Sequence, residues 1–246
     1  MIFMIITIPI IFAILFVDSK IFERFSFVFY GIGIALLLGL FVFGVSKKGQ
    51  TNWYQFGGFG FQPSEFVKTA VALLLSKYLS DAQVNLGKKN FQYIAFGIIG
   101  LPVFLILLQP DAGSAMIFLS LIFVLYREGL PGWYLWTGAI AIATFLLALI
   151  IKPIYLISFI GIFMVIHYIF NRLISRNPIV YGLIFMAISS FAFSVSYMYD
   201  NVLEPHQKDR INVLLGKDVN MKAEGYNLNQ SMIAIGSGGL LGKGYL

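Results

Sequence analysis

The sequence predicts an all-α fold, a polytopic transmembrane helical bundle of about eight membrane segments with one large outer loop. Of its 246 residues, 59% are hydrophobic and only 11% are charged, and the mean hydropathy is +0.86, outside the usual globular range. The apolar segments are continuous, as in Ile34–Leu38, and do not alternate as barrel strands would. Because unpaired backbone groups are costly in hydrocarbon, such segments form helices.

Eight apolar segments are predicted as helices, within a single integral membrane domain covering residues 1–246. They lie at about residues 1–17, 25–46, 65–80, 92–109, 112–126, 134–151, 154–170 and 178–199. Several of them are shorter than the roughly 20 residues of a perpendicular span, and for the two shortest, 65–80 and 112–126, we expect polar extensions or a place inside the bundle. The chain turns polar after Tyr199, and residues 200–246 are predicted to be an extracytoplasmic loop and the start of another apolar segment.

Lysine and arginine residues are divided unequally between alternate loops. One set of loops holds Lys20, Arg24, Lys77, Lys88, Lys89, Arg127, Arg172 and Arg176, and the opposite short loops hold Lys47, Lys48 and Lys152. The positive-inside rule makes the first set cytoplasmic. The 47–64 loop, the 109–112 turn and the chain after Tyr199 are therefore predicted on the outer face.

Composition also excludes several kinds of chemistry. The chain has no cysteine, and His167 and His206 lie far apart, so a metal site would have to be built from carboxylates. The formal charge of +6 includes no basic run of five or more residues, and nucleic acid is not predicted as a partner. The basic residues sit mostly between apolar segments, so membrane topology explains the charge, and membrane lipid is predicted as a partner.

A first candidate site lies at the start of the third segment, where a charge needs a partner or a cavity. Pro63 suits a helix start, Ser64 can cap the helix, and Glu65 falls in the first turn, where the helix dipole favours an anion. Glu65 and Lys68 then share one face at i,i+3. They form either a structural ion pair that orients the helix or a pair that faces a substrate groove.

A second candidate is Asp111, where two apolar segments meet with almost no loop between them. It either caps the following helix or is an outward-facing carboxylate at the mouth of a cavity, available to a polar ligand or a cation. Aromatic residues crowd positions 53–61, just before the third segment, as they do at a headgroup boundary. Plain interfacial anchoring explains them.

The long polar loop supplies the remaining candidates. Lys208 and Arg210 lie beside the predicted membrane surface and could meet phosphate, Arg210 by bidentate hydrogen bonds. Residues 200–246 contain five basic and five acidic residues, so the net charge of this loop does not attract an anion. An anion site would need donors brought together locally, such as the backbone N–H groups of 236–239 and the side chain of Lys243. The glycines of 236–239 otherwise serve close helix packing.

Three stretches resemble signature regions of the SEDS family (shape, elongation, division and sporulation), and its elongation branch in particular. They are NWYQFGGFGFQPSEFVK, LQPDAGSAM, and HQKDRINVLLG followed by GYNLNQSMIAIGSGGLLGKGYL. The resemblance runs from near Met1 to Leu246. It implies a peptidoglycan glycosyltransferase that polymerises lipid II, the undecaprenyl-pyrophosphate-linked disaccharide peptide, at the outer face of the bacterial cytoplasmic membrane, together with a class B penicillin-binding protein.

The implied reaction inverts the configuration at the anomeric carbon. A carboxylate acts as general base on the acceptor sugar hydroxyl, and undecaprenyl pyrophosphate is the leaving group. The proposed substrate-binding residues are Glu65, Lys68, Asp111, Lys208, Arg210 and Lys243. The catalytic aspartate of the family lies in a His-Thr-Asp-Phe-like motif that no residue here matches, so it is expected beyond Leu246. The sequence leaves the cofactor open, and a divalent cation is one candidate.

Relative to the family, the chain is expected to be truncated at both ends and to carry 154–170 and 178–199 as an extra pair of segments. Two other functions stay open. A lipid II flippase or transporter would also suit intramembrane charges and a lipid substrate, although no inverted repeat is visible. The third possibility is a chain that binds partner or lipid without catalysis.

Overall fold

The computed structural model describes residues 2–47, 50–57, 59–170, 177–203, 208, 211–212, 215, 226–239 and 242. The α-helices in these ranges are α1 (Ile2–Phe16), α2 (Ser19–Phe43), α3 (Pro63–Ser80), α4 (Lys89–Leu107), α5 (Ala112–Ile117), α6 (Leu121–Arg127), α7 (Trp133–Ile150), α8 (Pro153–Phe170), α9 (Pro178–Tyr197) and α10 (Tyr226–Gly238). A 3-10 turn, Phe118–Ser120, joins α5 to α6, and a π-helical turn, Met198–Val202, continues α9.

The prediction of an all-α polytopic membrane bundle is confirmed. Among the described residues, α2, α4, α7, α8 and α9 with its π-helical turn are long and apolar enough to cross a membrane. The two shortest predicted segments are not among them, because α3 carries polar residues at both ends and 112–127 is interrupted by the 3-10 turn. The count of eight spans stays a prediction.

The sequence analysis did not foresee a small antiparallel sheet between α2 and α3. Its strands are β1 (Val45–Lys47), β2 (Gln50–Phe56) and β3 (Phe59–Phe61), in the order β1-β2-β3. Tyr54 pairs with Phe61 and Phe56 with Phe59. Gly57 follows β2 with a positive φ of 57°, a backbone conformation that suits glycine in a tight hairpin turn.

The chain divides into two compact units, residues 1–136 and 137–246. The first unit holds α1 to α6, the sheet and the start of α7. Its core joins α2 to α3 and α4, with the fully buried side chains of Leu37, Val71 and Ile106 at its centre. Gly33 of α2 lies against Val67 of α3, where a side chain would crowd the valine, so glycine brings the two helices together.

The second unit contains most of α7 together with α8, α9 and α10. Its small core consists of Ala148, Leu156, Ala192 and Val195. A buried hydroxyl, that of Ser196, donates to the Ala148 carbonyl at 3.1 Å and joins α9 to α7. Most large apolar side chains of α8 are exposed, as expected of a helix that faces lipid.

Candidate functional site

The sheet of the first unit is attached to α2 by the side chains on one face of β2. Asn52 and Tyr54 are two residues apart and therefore point to the same side of the strand. The Tyr54 hydroxyl donates to the Leu36 carbonyl of α2 at 2.8 Å. Gly39 makes this contact possible, since a Cβ at that position would collide with the Tyr54 hydroxyl. The sheet is thereby held against the C-terminal half of α2.

Asp111 is the centre of a buried hydrogen-bond cluster formed with Asn52, Gln62 and Ser114. The Ser114 N–H donates to Asp111 Oδ1 at 3.0 Å, which makes Asp111 the N-cap of α5. Its Oδ2 accepts from the Asn52 amide at 2.7 Å, the Ser114 hydroxyl at 2.8 Å and the Gln62 amide at 3.2 Å. One carboxylate thus joins β2, the residue before α3 and the α4–α5 turn.

Only 5% of Asp111 is exposed. Burial alone would raise the pKa of its carboxyl, but the hydrogen bonds from Ser114, Asn52 and Gln62 favour the charged form and lower the pKa below the ordinary value of 3.8. The carboxyl is therefore ionised at neutral pH. The cap predicted from the sequence is confirmed, and the alternative of an outward-facing carboxylate is wrong because the side chain is buried.

Glu65 lies in the first turn of α3, and Lys68 follows it three residues later. Lys68 Nζ is 2.7 Å from Glu65 Oε1, so the predicted i,i+3 ion pair forms. The Glu65 side chain is 61% exposed and that of Lys68 is 22% exposed. The pair therefore reaches the surface of the unit, in contrast to the buried Asp111.

The start of α3 differs in detail from the prediction. The helix begins at Pro63 and its N-cap is Gln62, which makes no side-chain cap. Ser64 was expected to cap the helix, but its hydroxyl is buried and lies 3.5 Å from the Ser114 hydroxyl. The Gln62 side chain is turned to Asp111 instead. The ion pair is therefore carried on a helix end that is anchored to the buried carboxylate.

A shallow apolar pocket of about 440 Å³ lies between α2 and the sheet. It is lined by Leu36, Phe43, Tyr54, Gln55, Phe56 and Phe61. Such a surface offers contacts to an apolar chain and little to a polar group. The aromatic residues predicted as interfacial anchors thus also form a pocket wall.

Of the three cations predicted in the polar loop, only Lys208 falls among the described residues. In the second unit its Nζ donates to the Asp200 carbonyl at 2.8 Å and lies 6.0 Å from the centre of the Tyr199 ring. The Tyr199 hydroxyl donates to Asn212 Oδ1 at 2.6 Å. Arg210 and Lys243 lie outside the described residues.

Sequence reasoning missed Asn52 and Gln62, the two amides that fix Asp111. Both stand next to glycine-rich and aromatic segments, where a buried amide has no local signature. The one clue in the sequence is that each of these polar residues adjoins an aromatic one, Trp53 or Phe61, at the end of the aromatic segment. Among the described residues, no group of three or more His, Cys, Asp or Glu side chains could hold a metal ion.

Comparison with known proteins finds matches along the whole chain. A model of the cell cycle protein family that covers FtsW, RodA and SpoVE matches residues 1–175 and 155–246. The peptidoglycan glycosyltransferase MrdB of Escherichia coli K12 is 30% identical over 231 residues, which is 94% of this chain and 49% of MrdB. The peptidoglycan glycosyltransferase RodA of Treponema pallidum is 30% identical over 91% of this chain and 57% of that protein.

More distant similarity extends to the stage V sporulation protein E of Bacillus subtilis, 26% identical over 82% of this chain and 42% of that protein. Among solved structures, a chain of a peptidoglycan synthase complex is 23% identical with a TM-score of 0.50, covering 93% of this chain and 53% of the other. That likeness shows a shared fold. The chain spans about half the length of the curated relatives it matches.

Proposed function

This chain belongs to the cell cycle protein family of FtsW, RodA and SpoVE, and we propose that it functions as a peptidoglycan glycosyltransferase that polymerises lipid II during bacterial cell elongation. Two relatives, from Escherichia coli and Treponema pallidum, carry the name peptidoglycan glycosyltransferase. The proposal extends that activity to a chain that covers about half of their length. The structural observation that supports it is the exposed Glu65–Lys68 pair on an anchored helix end.

We place this site at the outer face of the cytoplasmic membrane. By the positive-inside rule, the loops rich in lysine and arginine are cytoplasmic. The sheet and the 109–112 turn belong to the opposite set of loops. Lipid II carries its sugars and pyrophosphate on a long apolar tail. A pocket of aromatic and aliphatic side chains beside α2 suits such a tail, and the Glu65–Lys68 pair of the same unit is proposed to meet the head.

Each candidate residue receives a role that its surroundings permit. Lys68 is proposed to bind a phosphate oxygen of the substrate, and Glu65 to hold that ammonium in place. Asp111 is proposed as the anchor of α3 and not as a base, because its oxygens already accept four hydrogen bonds and its pKa is lowered.

The cations of the polar loop are proposed to stabilise the leaving pyrophosphate. An ammonium has three donors, so the contact of Lys208 with the Asp200 carbonyl leaves donors for a phosphate. Arg210 would add a bidentate contact and Lys243 a further positive charge. The partner in this proposal is a class B penicillin-binding protein, which would use the new glycan strand.

The test is polymerisation of purified lipid II by the purified protein with its cognate class B penicillin-binding protein. Lys68→Met should reduce the rate by about 100-fold, since it removes a charged contact of roughly 3 kcal/mol. Lys77→Met is the matched control, because Lys77 is an exposed lysine in the last turn of the same helix. Equal rates for the two variants would contradict the role of Lys68.

A translocation measurement separates this function from a flippase. Vesicles that hold fluorescent lipid II report movement between leaflets, and the glycan product is measured in the same sample. Polymer formation supports the proposal, whereas movement without polymer would favour transport of lipid II. Neither movement nor polymer, with retained binding of the partner, would indicate a chain that only binds.

A further inference from the structure

One end of the first unit carries positive charges that its acidic residues do not balance. The basic side chains are exposed and lie where α3 ends, α4 begins and α6 ends; they are Lys77, Lys88, Lys89 and Arg127, called here the basic end. Asp81 and Glu128, the acidic residues of the same connections, are half as many. Among the described residues, the one ion pair within 4 Å joins Lys68 to Glu65, so no member of the basic end has an acidic partner.

The packing of the unit brings these four residues to a common end. One buried core is formed by side chains of α3, α4, α6 and the two connections, namely Leu75, Leu86, Ala95, Leu125 and Leu130. Lys77, Lys88 and Arg127 each follow a member of this core by two residues. The Tyr78 hydroxyl donates to the Phe91 carbonyl at 3.0 Å and joins the end of α3 to the start of α4. The basic residues, distant in sequence, are therefore held around one small core.

Exposed aromatic rings lie on the helix turns next to the basic end. Four of them are 49% to 73% exposed, namely Tyr93 of α4, Tyr126 of α6, and Trp133 and Trp136 of α7. The Tyr134 hydroxyl donates to Gln92 Oε1 at 2.7 Å, which holds the start of α7 against the start of α4. Tyrosine and tryptophan collect at the headgroup level of a membrane, and both α4 and α7 are long and apolar enough to cross one. The basic end therefore lies at the level of lipid headgroups.

We propose that the basic end is a binding site for the headgroup of an anionic phospholipid such as phosphatidylglycerol. The lysine and arginine side chains donate hydrogen bonds to the phosphate and balance its charge. The acyl chains lie along α4 and α7, whose exposed aromatic rings face lipid. Basic clusters between membrane helices bind acidic headgroups in this way, whereas a zwitterionic lipid brings no net charge. The site does not depend on the proposed glycosyltransferase activity.

Quenching of tryptophan emission by brominated lipids measures this binding. The chain has three tryptophans, and Trp53→Phe leaves only Trp133 and Trp136, in the first turn of α7. The purified Trp53→Phe protein is reconstituted in bilayers of phosphatidylcholine and phosphatidylglycerol in equal amounts, with bromine on one lipid or the other. Brominated phosphatidylglycerol should quench more strongly, with a preference for the anionic lipid of roughly tenfold. Equal quenching by the two lipids overturns the proposal.

Lys88→Gln combined with Lys89→Gln locates the site. This double variant removes two cations of the basic end, and the preference for phosphatidylglycerol should fall by at least about fivefold. The matched control is Lys20→Gln combined with Arg24→Gln, which removes two exposed cations at the start of α2, where two acidic residues already balance them. The two double variants have the same net charge, and the control should keep the preference. If both lower it equally, the lipid responds to overall charge, and the assignment to the basic end is refuted.

The salt dependence covers the case that a double variant does not fold. In the Trp53→Phe protein, raising sodium chloride from about 0.05 M to about 0.5 M screens exposed charges. The preference for brominated phosphatidylglycerol should then fall several-fold, because exposed lysine and arginine side chains carry the contact. A preference that salt leaves unchanged would mean that the lipid is not held by these charges and would refute the site.

Discussion

Two carboxylates at the same end of the first unit are held in opposite ways. Asp111 is 5% exposed and accepts four hydrogen bonds from neutral donors, whereas Glu65 is 61% exposed and has one charged partner, Lys68. The neutral donors that reach the buried Asp111 carboxylate come from three segments of the chain. Asp111 therefore holds these three segments together. The exposed pair, by contrast, joins two residues of one helix at i,i+3. Both carboxylates are charged groups near a membrane. What distinguishes them is the kind of partner each one has and how deeply it is buried.

Replacing Asp111 should produce the largest loss of stability. Asp111→Ala leaves the buried Asn52 amide and the Ser114 N–H and hydroxyl without their acceptor, and we expect the free energy of unfolding to fall by about 3–5 kcal/mol. The thermal midpoint should then drop by about 10 °C. The control is Asp81→Ala, which removes an exposed carboxylate that accepts from the Gln83 N–H. Similar drops in the two variants would mean that Asp111 is no anchor.

The contact between Gly39 and Tyr54 should have an intermediate effect. Gly39→Ala brings a methyl group against the Tyr54 hydroxyl and displaces the sheet from α2, which should lower stability by about 1–3 kcal/mol. Tyr54→Phe alone removes one hydrogen bond, for about 1 kcal/mol. Because the phenylalanine gives the methyl group space, the double variant should be more stable than the sum of the two changes predicts. If the stability losses of the two single variants simply added up in thermal melts, the predicted clash between the Ala methyl group and the Tyr54 hydroxyl would be contradicted.

Acid should weaken the anchor at Asp111. The pKa of Asp111 is lower in the folded protein than its ordinary value of 3.8, so the carboxylate contributes stability above that value. This contribution is lost as the pH falls through the folded pKa. The midpoint difference between the wild type and Asp111→Asn should therefore be constant from about pH 5 to about pH 8 and shrink below about pH 4. A difference that already shrinks near pH 6 would contradict the lowered pKa.

The sequence was sufficient for the helices and for the local part of the site. Continuous apolar segments predict helices without any tertiary information, and the i,i+3 spacing of Glu65 and Lys68 predicts their contact. The cap at Asp111 is equally local, since its partner Ser114 lies three residues further along. These features depend on neighbours within one helical turn.

The sequence was not sufficient for the sheet and for the partners of Asp111. Asn52 and Gln62 reach Asp111 across 59 and 49 residues, and nothing in a single sequence records such contacts. The strands β2 and β3 lie in an aromatic segment whose composition also fits a headgroup boundary, so the hairpin was not predicted. Ser64 was assigned as a cap from its residue type, although the helix begins one residue earlier, at Pro63.

Exchanging the exposed pair should affect stability least and activity most. Glu65→Lys combined with Lys68→Glu keeps an i,i+3 pair, and we expect stability to fall by less than about 1 kcal/mol, partly because a cation in the first turn opposes the helix dipole. Polymerisation of lipid II should nevertheless be lost, because the carboxylate would occupy the place of the phosphate-binding ammonium. Lys77→Glu, at the other end of α3, controls for placing a carboxylate at a lysine position of this helix. A structural ion pair tolerates the exchange and a substrate contact does not, so a fully active exchanged protein would assign the pair to the fold and leave lipid II to other residues.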